Sequence, residues 1–500
     1  MEQHKIYYVS PQGSDRNSGL TPQAPLSTLE AASRLALKPG DQLLLQRGAL
    51  FSRQALHLHV QGSEENPIVI GAYGEGPRPV IEARGSGVWY QDYGMLLDNP
   101  CHTRKGYVSS AILLYDCEYI RVQDLEITND PGAVPGETYS QPDKMNKTGV
   151  AVVAQDRGTL HQIILQDLYI HHVMGNVYDK HLNNGGIYCT AMKPHSEATG
   201  IARYDKLAIE SCRVEHCSRW GIAAGYTYAH AHFLGACLDD ETVKTWGHTN
   251  VVIRNCFVKD IGGDGITPMY CYKPLVEKNV SDHIATEIND QYYTDPLDRG
   301  GKTAAAIWPW KCKDALFQFN EAYNTCANID GQAWDADSGD GTVYQYNYSY
   351  NNAGGCIMFC LQESIHNTFR YNISMLDKGG VINPVQNPDG HIYGNIFVTD
   401  APFVRDGMSG GHMLVENNII CNVAEEPLPG DWHHQTDFAS YHGNIYCNFA
   451  DVPRNDDAAR VIPRGEPLLA DPLSGPRETD GTVHSPEAFA GFSVLSPWER

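Results

Sequence analysis

The sequence predicts an all-β solenoid, and two observations carry that prediction. The first is a strand signature with an Asn near its start, which recurs as RNCFV at Asn255, EKNVS at Asn279, FNEAY at Asn320, YNYSY at Asn347, YNISM at Asn372, GNIFV at Asn395, NNIIC at Asn418 and GNIYC at Asn444. Successive Asn residues lie 24, 41, 27, 25, 23, 23 and 26 residues apart, a period that belongs to stacked coils and is too short for a WD or kelch blade. The second is composition: 42% hydrophobic and 19% charged residues, with 47 Gly and 28 Tyr, describe a large buried core interrupted by many turns. All 500 residues fit one solenoid domain, because each coil packs only on its neighbours.

Taken in order, residues 1–60 are expected to hold an opening strand and a cap, 60–450 the coils with their loop insertions, and 450–500 a closing segment. The segment STLEAASRLAL, Ser27 to Leu37, reads as a helix that covers the open end of the first coil, with Ser27 and Glu30 spaced as a capping box. Further on, VQDLEI at Asp124, LQDLYI at Asp167 and IESCRV at Ser211 repeat the strand with Asp or Ser in place of Asn, at spacings of 43, 44 and then 44 residues to Asn255. Apolar residues alternate in these segments and β-branched and aromatic residues abound, so they are strands. In-register stacking would turn the Asn side chains into a ladder of amide hydrogen bonds.

A second strand in each coil follows a turn of small residues: GGIYCTA at Gly185, WGIAAGY at Trp220, DGITPMY at Asp264, AAIWPWK at Ala305, QAWDADS at Gln332, GCIMFCL at Gly355 and GVINPVQ at Gly380. Aligning Ile187, Ile222, Ile266, Ile307, Trp334, Ile357 and Ile382 gives an apolar column, and two residues on Cys189, Ala224, Pro268, Pro309, Ala336, Phe359 and Pro384 give another. Both columns are expected to point into the solenoid.

The opening YYVSPQGSDRNSGLTPQAPLSTLEAA, the Asn-turn coils and the closing EPLLADP and GFSVLSP resemble the pectate-lyase-like superfamily of carbohydrate-active proteins. The resemblance implies a right-handed parallel β-helix with an N-terminal capping helix. Within the superfamily, the IWPW, NEAY, DGQAWDAD and YNYSY series resembles glycoside hydrolase families 141 and 120 more than the polysaccharide lyases.

Composition narrows the partners. A formal charge of -23 repels nucleic acid, anionic lipid and acidic polysaccharide, which favours a neutral glycan. The N-terminus has no apolar signal region and no run approaches the length of a membrane span, so a cytoplasmic location is expected. The 14 cysteines are scattered without a CxxC pair, which points to reduced, packed thiols.

Candidate chemistry concentrates in DGQAWDADSGDG, residues 330–341. If Trp334 and Ala336 face the interior, alternation throws Asp335 and Asp337 onto one outer face, with Cβ atoms roughly 6.5 to 7 Å apart by strand rise. Trp308 and Trp310 share that face on the preceding rung. Two carboxylates beside indoles can bind sugar hydroxyls and split acid and base roles, so Asp335 and Asp337 are the preferred catalytic pair, with Asp264 or Glu363 able to supply a second carboxyl. Trp308, Trp310, Trp334, Lys311 and Arg299 complete the candidate sugar-contacting set.

Two other readings of the stretch stand beside this one. Asp335, Asp337 and Asp340 form either a polar turn or a cation cradle resembling a calcium loop whose third Asp comes one residue late. No cofactor is expected, with calcium the alternative. Glu321 is expected to face inward in a structural role, and His171 and His172 to be solvated. Three functions follow: an exo-acting glycoside hydrolase on a neutral or weakly charged oligosaccharide; a cation-dependent lyase on a uronate glycan with Lys311 or Lys302 as base; and a non-catalytic glycan-binding solenoid.

Overall fold

The computed structural model describes residues 4–95, 97, 103–132, 145–291, 302–400, 402–405, 411–427 and 439–495. They form two compact units: residues 1–234, 241–272 and 287–302 make the first, and 235–240, 273–286 and 303–500 the second. Each unit is a parallel β-helix whose coils contribute strands to two sheets, with a third sheet of seven strands in the first unit and of three in the second among the described residues.

In the first unit, the rung register of the sequence holds residue for residue. Strands Gly185–Ala191, Trp220–Thr227 and Ile266–Pro268 pair in parallel, with Ile187 beside Ile222 and Ile222 beside Ile266. All three isoleucines are fully buried. The N-terminal helix spans Leu29–Ser33, shorter than the sequence pattern predicts, and its N-cap is Thr28 in place of Ser27. Thr28 Oγ1 accepts the Ala31 amide at 3.1 Å, while the backbone amides of Ser27 and Thr28 are held outside the helix by Asp15. Asp15 thus moves the start of the helix one residue on, a long-range contact that a local capping pattern does not contain.

In the second unit, one coil runs through Val343–Gln345, Tyr348–Tyr350 and Ile357–Cys360, and the next through Thr368–Arg370, Ile373–Met375 and Ile382–Val385. Between the first two strands of each coil the chain turns on a residue with left-handed φ, followed by an Asn that points inward. Asn279, Asn320, Asn347, Asn372, Asn395, Asn418 and Asn444 form the expected ladder: in each step the backbone N–H and the side-chain amide donate to Oδ1 of the next Asn at 2.8–3.1 Å. Asp456 receives the last pair from Asn444 and ends the ladder.

Asn255 does not belong to that ladder. It has φ 54° and is exposed, as the turn residue itself, and Asp124, Asp167 and Ser211 occupy the same left-handed position at φ 58°, 52° and 54°. In the first unit the inward position after the turn is taken by Leu125, Leu168, Cys212 and Cys256, all buried. Asx and Ser residues tolerate the left-handed turn, so the same residue types appear in two adjacent positions for different reasons.

Candidate active site

The candidate site lies on the outer face of a short sheet in the second unit, made of Trp334–Asp337, Ile357–Cys360 and Ile382–Val385. The preceding rung adds Ile307, Trp310 and Lys313, which bridge in parallel to Trp334, Asp337 and Asp340. Trp334 and Ala336 are fully buried, and the Trp334 ring lies 5.8 Å from that of Tyr344. The Tyr344 hydroxyl donates to the Asp335 carbonyl at 2.8 Å, which fixes the middle of the strand. With Trp334 and Ala336 inward, pleating sends Asp335 and Asp337 to the other face.

There they converge. A carboxylate oxygen of Asp335, one of Asp337 and Sγ of Cys360 all lie within 4.8 Å of one another. Asp335 is 3% exposed, whereas Asp337 is half-buried and accepts a 2.7 Å hydrogen bond from the Ser338 hydroxyl. Cys360 pairs with Asp337 in register, and Met358 with Asp335. Burial pushes the Cys360 thiol far above its ordinary range, and the carboxylates of Asp337, Asp335, Asp330 and Glu363 push it further. Asp330, Asp335, Asp337 and Glu363 thus all stand near enough to Cys360 for their charges to act on its thiol.

Asp330 is the member of this group that the sequence reading passed over, because its Asp-Gly pair reads as a bend. It is half-buried, and its backbone is held firmly. Arg405 donates to the carbonyls of Asp330, at 2.9 Å, and Ile329, at 3.2 Å, while Asn328 Oδ1 accepts the Asp330 amide at 2.8 Å. Gly354 donates its amide to the Gly331 carbonyl at 2.8 Å, and a Cβ at Gly354 would overlap the Asp330 carbonyl, so only glycine lets these two turns approach. Cys360 was detectable from the sequence, since the Ile357 and Phe359 columns place it beside Asp337.

The other expected residues separate. Asp264 is fully buried in the first unit, with Arg219 Nη2 at 3.0 Å and Lys180 Nζ at 3.6 Å from Oδ2. That is a sealed ion pair, which needs both partners and offers no edge to a substrate. Glu363 is half-exposed in the turn after Cys360. Trp310 is half-buried on Asp337's side of the preceding rung, but Trp308 and Lys311 are each 6% exposed. Trp334, wholly interior, has no surface for a sugar, so its role is packing. Arg299 lies outside the described residues. Glu321 is buried, yet not in the solenoid interior: it sits beneath the C-terminal segment, taking the His484 amide at 2.5 Å and His484 Nδ1 at 2.8 Å.

Asp340 does not join Asp335 and Asp337 in a cradle. Both of its oxygens are engaged, by Lys313 Nζ at 2.9 Å, His366 Nδ1 at 2.9 Å and the Leu238 amide at 3.0 Å. Burial works against its charge, but the His366 and Lys313 contacts prevail and hold its carboxyl below the ordinary range. The donors that do converge are two carboxylates and a thiol kept protonated, which suits calcium poorly, since that ion takes about six to eight oxygens. The lysines of the lyase reading are also placed unhelpfully: Lys311 is nearly covered, with Nζ 6.0 Å from the centre of the Trp310 ring, and Lys302 pairs with Asp290 at 3.0 Å.

No family model matches the chain. It is 40% identical, over 98% of its length, to a lacto-N-biosidase of Bifidobacterium longum subsp. longum, and it spans only 34% of that protein. Crystal structures of a GH136 lacto-N-biosidase from Eubacterium ramulus, native and selenomethionine, superpose with a TM-score of 0.81 at 57% identity, covering 83% of this chain and 67% of theirs.

Proposed function

The chain belongs to glycoside hydrolase family 136, and from that membership we propose that it is an exo-acting glycosidase that frees a lacto-N-biose unit from a neutral oligosaccharide. The carbohydrate-active reading of the sequence stands, while the resemblance to families 141 and 120 gives way to family 136. The observation that carries the mechanism is the approach of Asp335 and Asp337 to within 4.8 Å, with Trp310 on the adjoining rung.

Asp335 is covered and Asp337 reaches solvent, so Asp337 is the carboxyl placed to deliver a proton to the leaving oxygen, with Asp335 behind it. The second acting carboxyl has to meet the sugar. Asp330 fits that role better than Glu363, because Arg405, Asn328 and Gly354 pin its backbone while Glu363 stands in an open turn. Trp310 offers an apolar face to the pyranose C–H groups. A second reading keeps Asp335 as nucleophile, since carboxylate oxygens within 4.8 Å of each other fall short of the roughly 6.5 Å or more that inversion needs.

Kinetics of carboxylate variants separate these roles. Asp337→Asn is expected to lower kcat on an oligosaccharide by roughly 100- to 10,000-fold, and much less on an aryl glycoside whose leaving group needs no proton. Azide should restore turnover to Asp330→Ala if Asp330 attacks, and to Asp335→Ala if Asp335 does. Wild-type activity in Asp337→Asn would remove this mechanism, and an unsaturated product abolished by EDTA would restore the lyase. Absence of any turnover, with glycan binding lost in Asp337→Ala, would leave a binding solenoid.

A further inference from the structure

A cavity of about 530 Å³ lies in the second unit away from the carboxylate cluster, between the outer face of the sheet containing Glu321–Tyr323 and the C-terminal segment. One wall is a staircase of three rings. Phe319 and Tyr346 are nearly parallel, 10° apart with centroids separated by 5.4 Å, and Tyr346 and Tyr371 follow at 17° and 5.6 Å. At such separations parallel rings are offset, so each leaves part of its face uncovered. Their exposures are 44%, 50% and 45%, unusual for three consecutive large aromatics.

The backbone makes this arrangement more informative. Phe319, Tyr346 and Tyr371 are the left-handed turn residues of their coils, at φ 57°, 58° and 57°. The same turn carries Asp124, Asp167, Ser211 and Asn255 in the first unit and Lys278, Gly394, Asn417 and Gly443 in the second. Apart from Lys278 those are residues that left-handed turns favour or tolerate, whereas a bulky aromatic there costs of order 1 kcal/mol or more. Gly394 also yields to the staircase, since a Cβ on it would stand 2.7 Å from Cε1 of Tyr371. Three coils in a row thus accept strain to display rings whose surface the core does not use.

The opposite wall is already fixed. His484 is tied to Glu321, the Tyr348 hydroxyl donates to the Pro476 carbonyl at 2.6 Å, and Phe489 packs 5.0 Å from Tyr348. Lys278 and His484 add polar groups at the margin. A preformed cleft of this size, lined by aromatic and other apolar side chains with a few polar groups, is the form of a small-ligand site. Stepped rings suit the C–H faces of successive pyranoses, and the charge of -23 disfavours an acidic glycan.

We propose that Phe319, Tyr346 and Tyr371 form a second carbohydrate-binding site, which holds a neutral oligosaccharide outside the catalytic cluster. The ligand class rests on the glycosidase reading; the site rests on the staircase and its cleft. The test replaces the three rings by Asn, the residue their turn prefers, as Phe319→Asn, Tyr346→Asn and Tyr371→Asn together. Binding of neutral gluco- and galacto-oligosaccharides of two to six units is measured by calorimetry in an Asp337→Asn background.

The expected result is binding at least tenfold weaker, an unchanged or higher Tm, and, with Asp337 restored, aryl-glycoside turnover within twofold of wild type. Binding kept within threefold overturns the proposal. As a second readout on the native chain, sugar should shift the ring resonances of labelled Tyr346 and Tyr371; binding without those shifts also overturns it. Turnover of aryl glycosides without sugar at the staircase leaves the hydrolase reading and removes this site, whereas sugar at the staircase without turnover does the reverse.

Discussion

Asn347 shows how much one side chain can hold. Its Oδ1 accepts from the backbone and side-chain amides of Asn320, and its own Nδ2 donates to Phe317 O and to Asn372 Oδ1. Asn347→Ala therefore strands several buried groups at once, at about 1–3 kcal/mol for each. We expect a loss of about 3 kcal/mol, read as a fall in the urea midpoint, after water and backbone relaxation have satisfied some of them; a change below about 0.5 kcal/mol would show that the ladder is dispensable. The ladder residues were legible in the sequence because their spacing repeats with the coil. Asn255 was misplaced because a turn Asn and a ladder Asn stand one residue apart, and only φ distinguishes them. Asp330 was overlooked for a related reason: its role comes from Arg405, 75 residues away in the chain.

At the level of the strand, Trp334–Asp337 was readable because two inward columns bracket it. Trp334 has no exposed surface and packs on Tyr344, so Trp334→Ala should cost about 3–5 kcal/mol in thermal or chemical unfolding. Activity should fall with it even where the protein remains folded, since the cavity lies directly behind Asp335 and Asp337. Trp334→Phe should recover most of both. A variant that loses stability and keeps full kcat would separate the site from the packing of its strand. The sequence placed the two carboxylates on the same side, as pleating requires, but not their unequal exposure. Which of them is covered depends on what stands above the sheet, and alternation contains no information about that.

For the whole molecule, pH adds a term that no repeat pattern discloses. Burial raises the carboxyl of Glu287 from 4.5 to about 8. The folded protein then keeps a proton that the unfolded chain releases, so stability falls as pH rises from about 4.5 to about 8 and is level above that. Glu287→Gln should remove this contribution: the Tm of the wild type should drop relative to the variant across that window, and parallel Tm profiles would refute the assignment. The surplus of acidic residues acts on a longer scale, as a field that opposes the approach of anionic ligands.

The sequence by itself determined the solenoid, the coil register and the face on which the acidic residues of 334–337 emerge, because each follows from a short period repeated along the chain. Tertiary structure alone decided that Asp335 is covered and Asp337 open, that Asp264 and Asp340 are tied up in ion pairs, that Arg405 holds the Asp330 turn, and that the C-terminal segment walls the aromatic cleft. Those outcomes depend on contacts between residues far apart in the chain, and their geometry exists only once the coils have stacked.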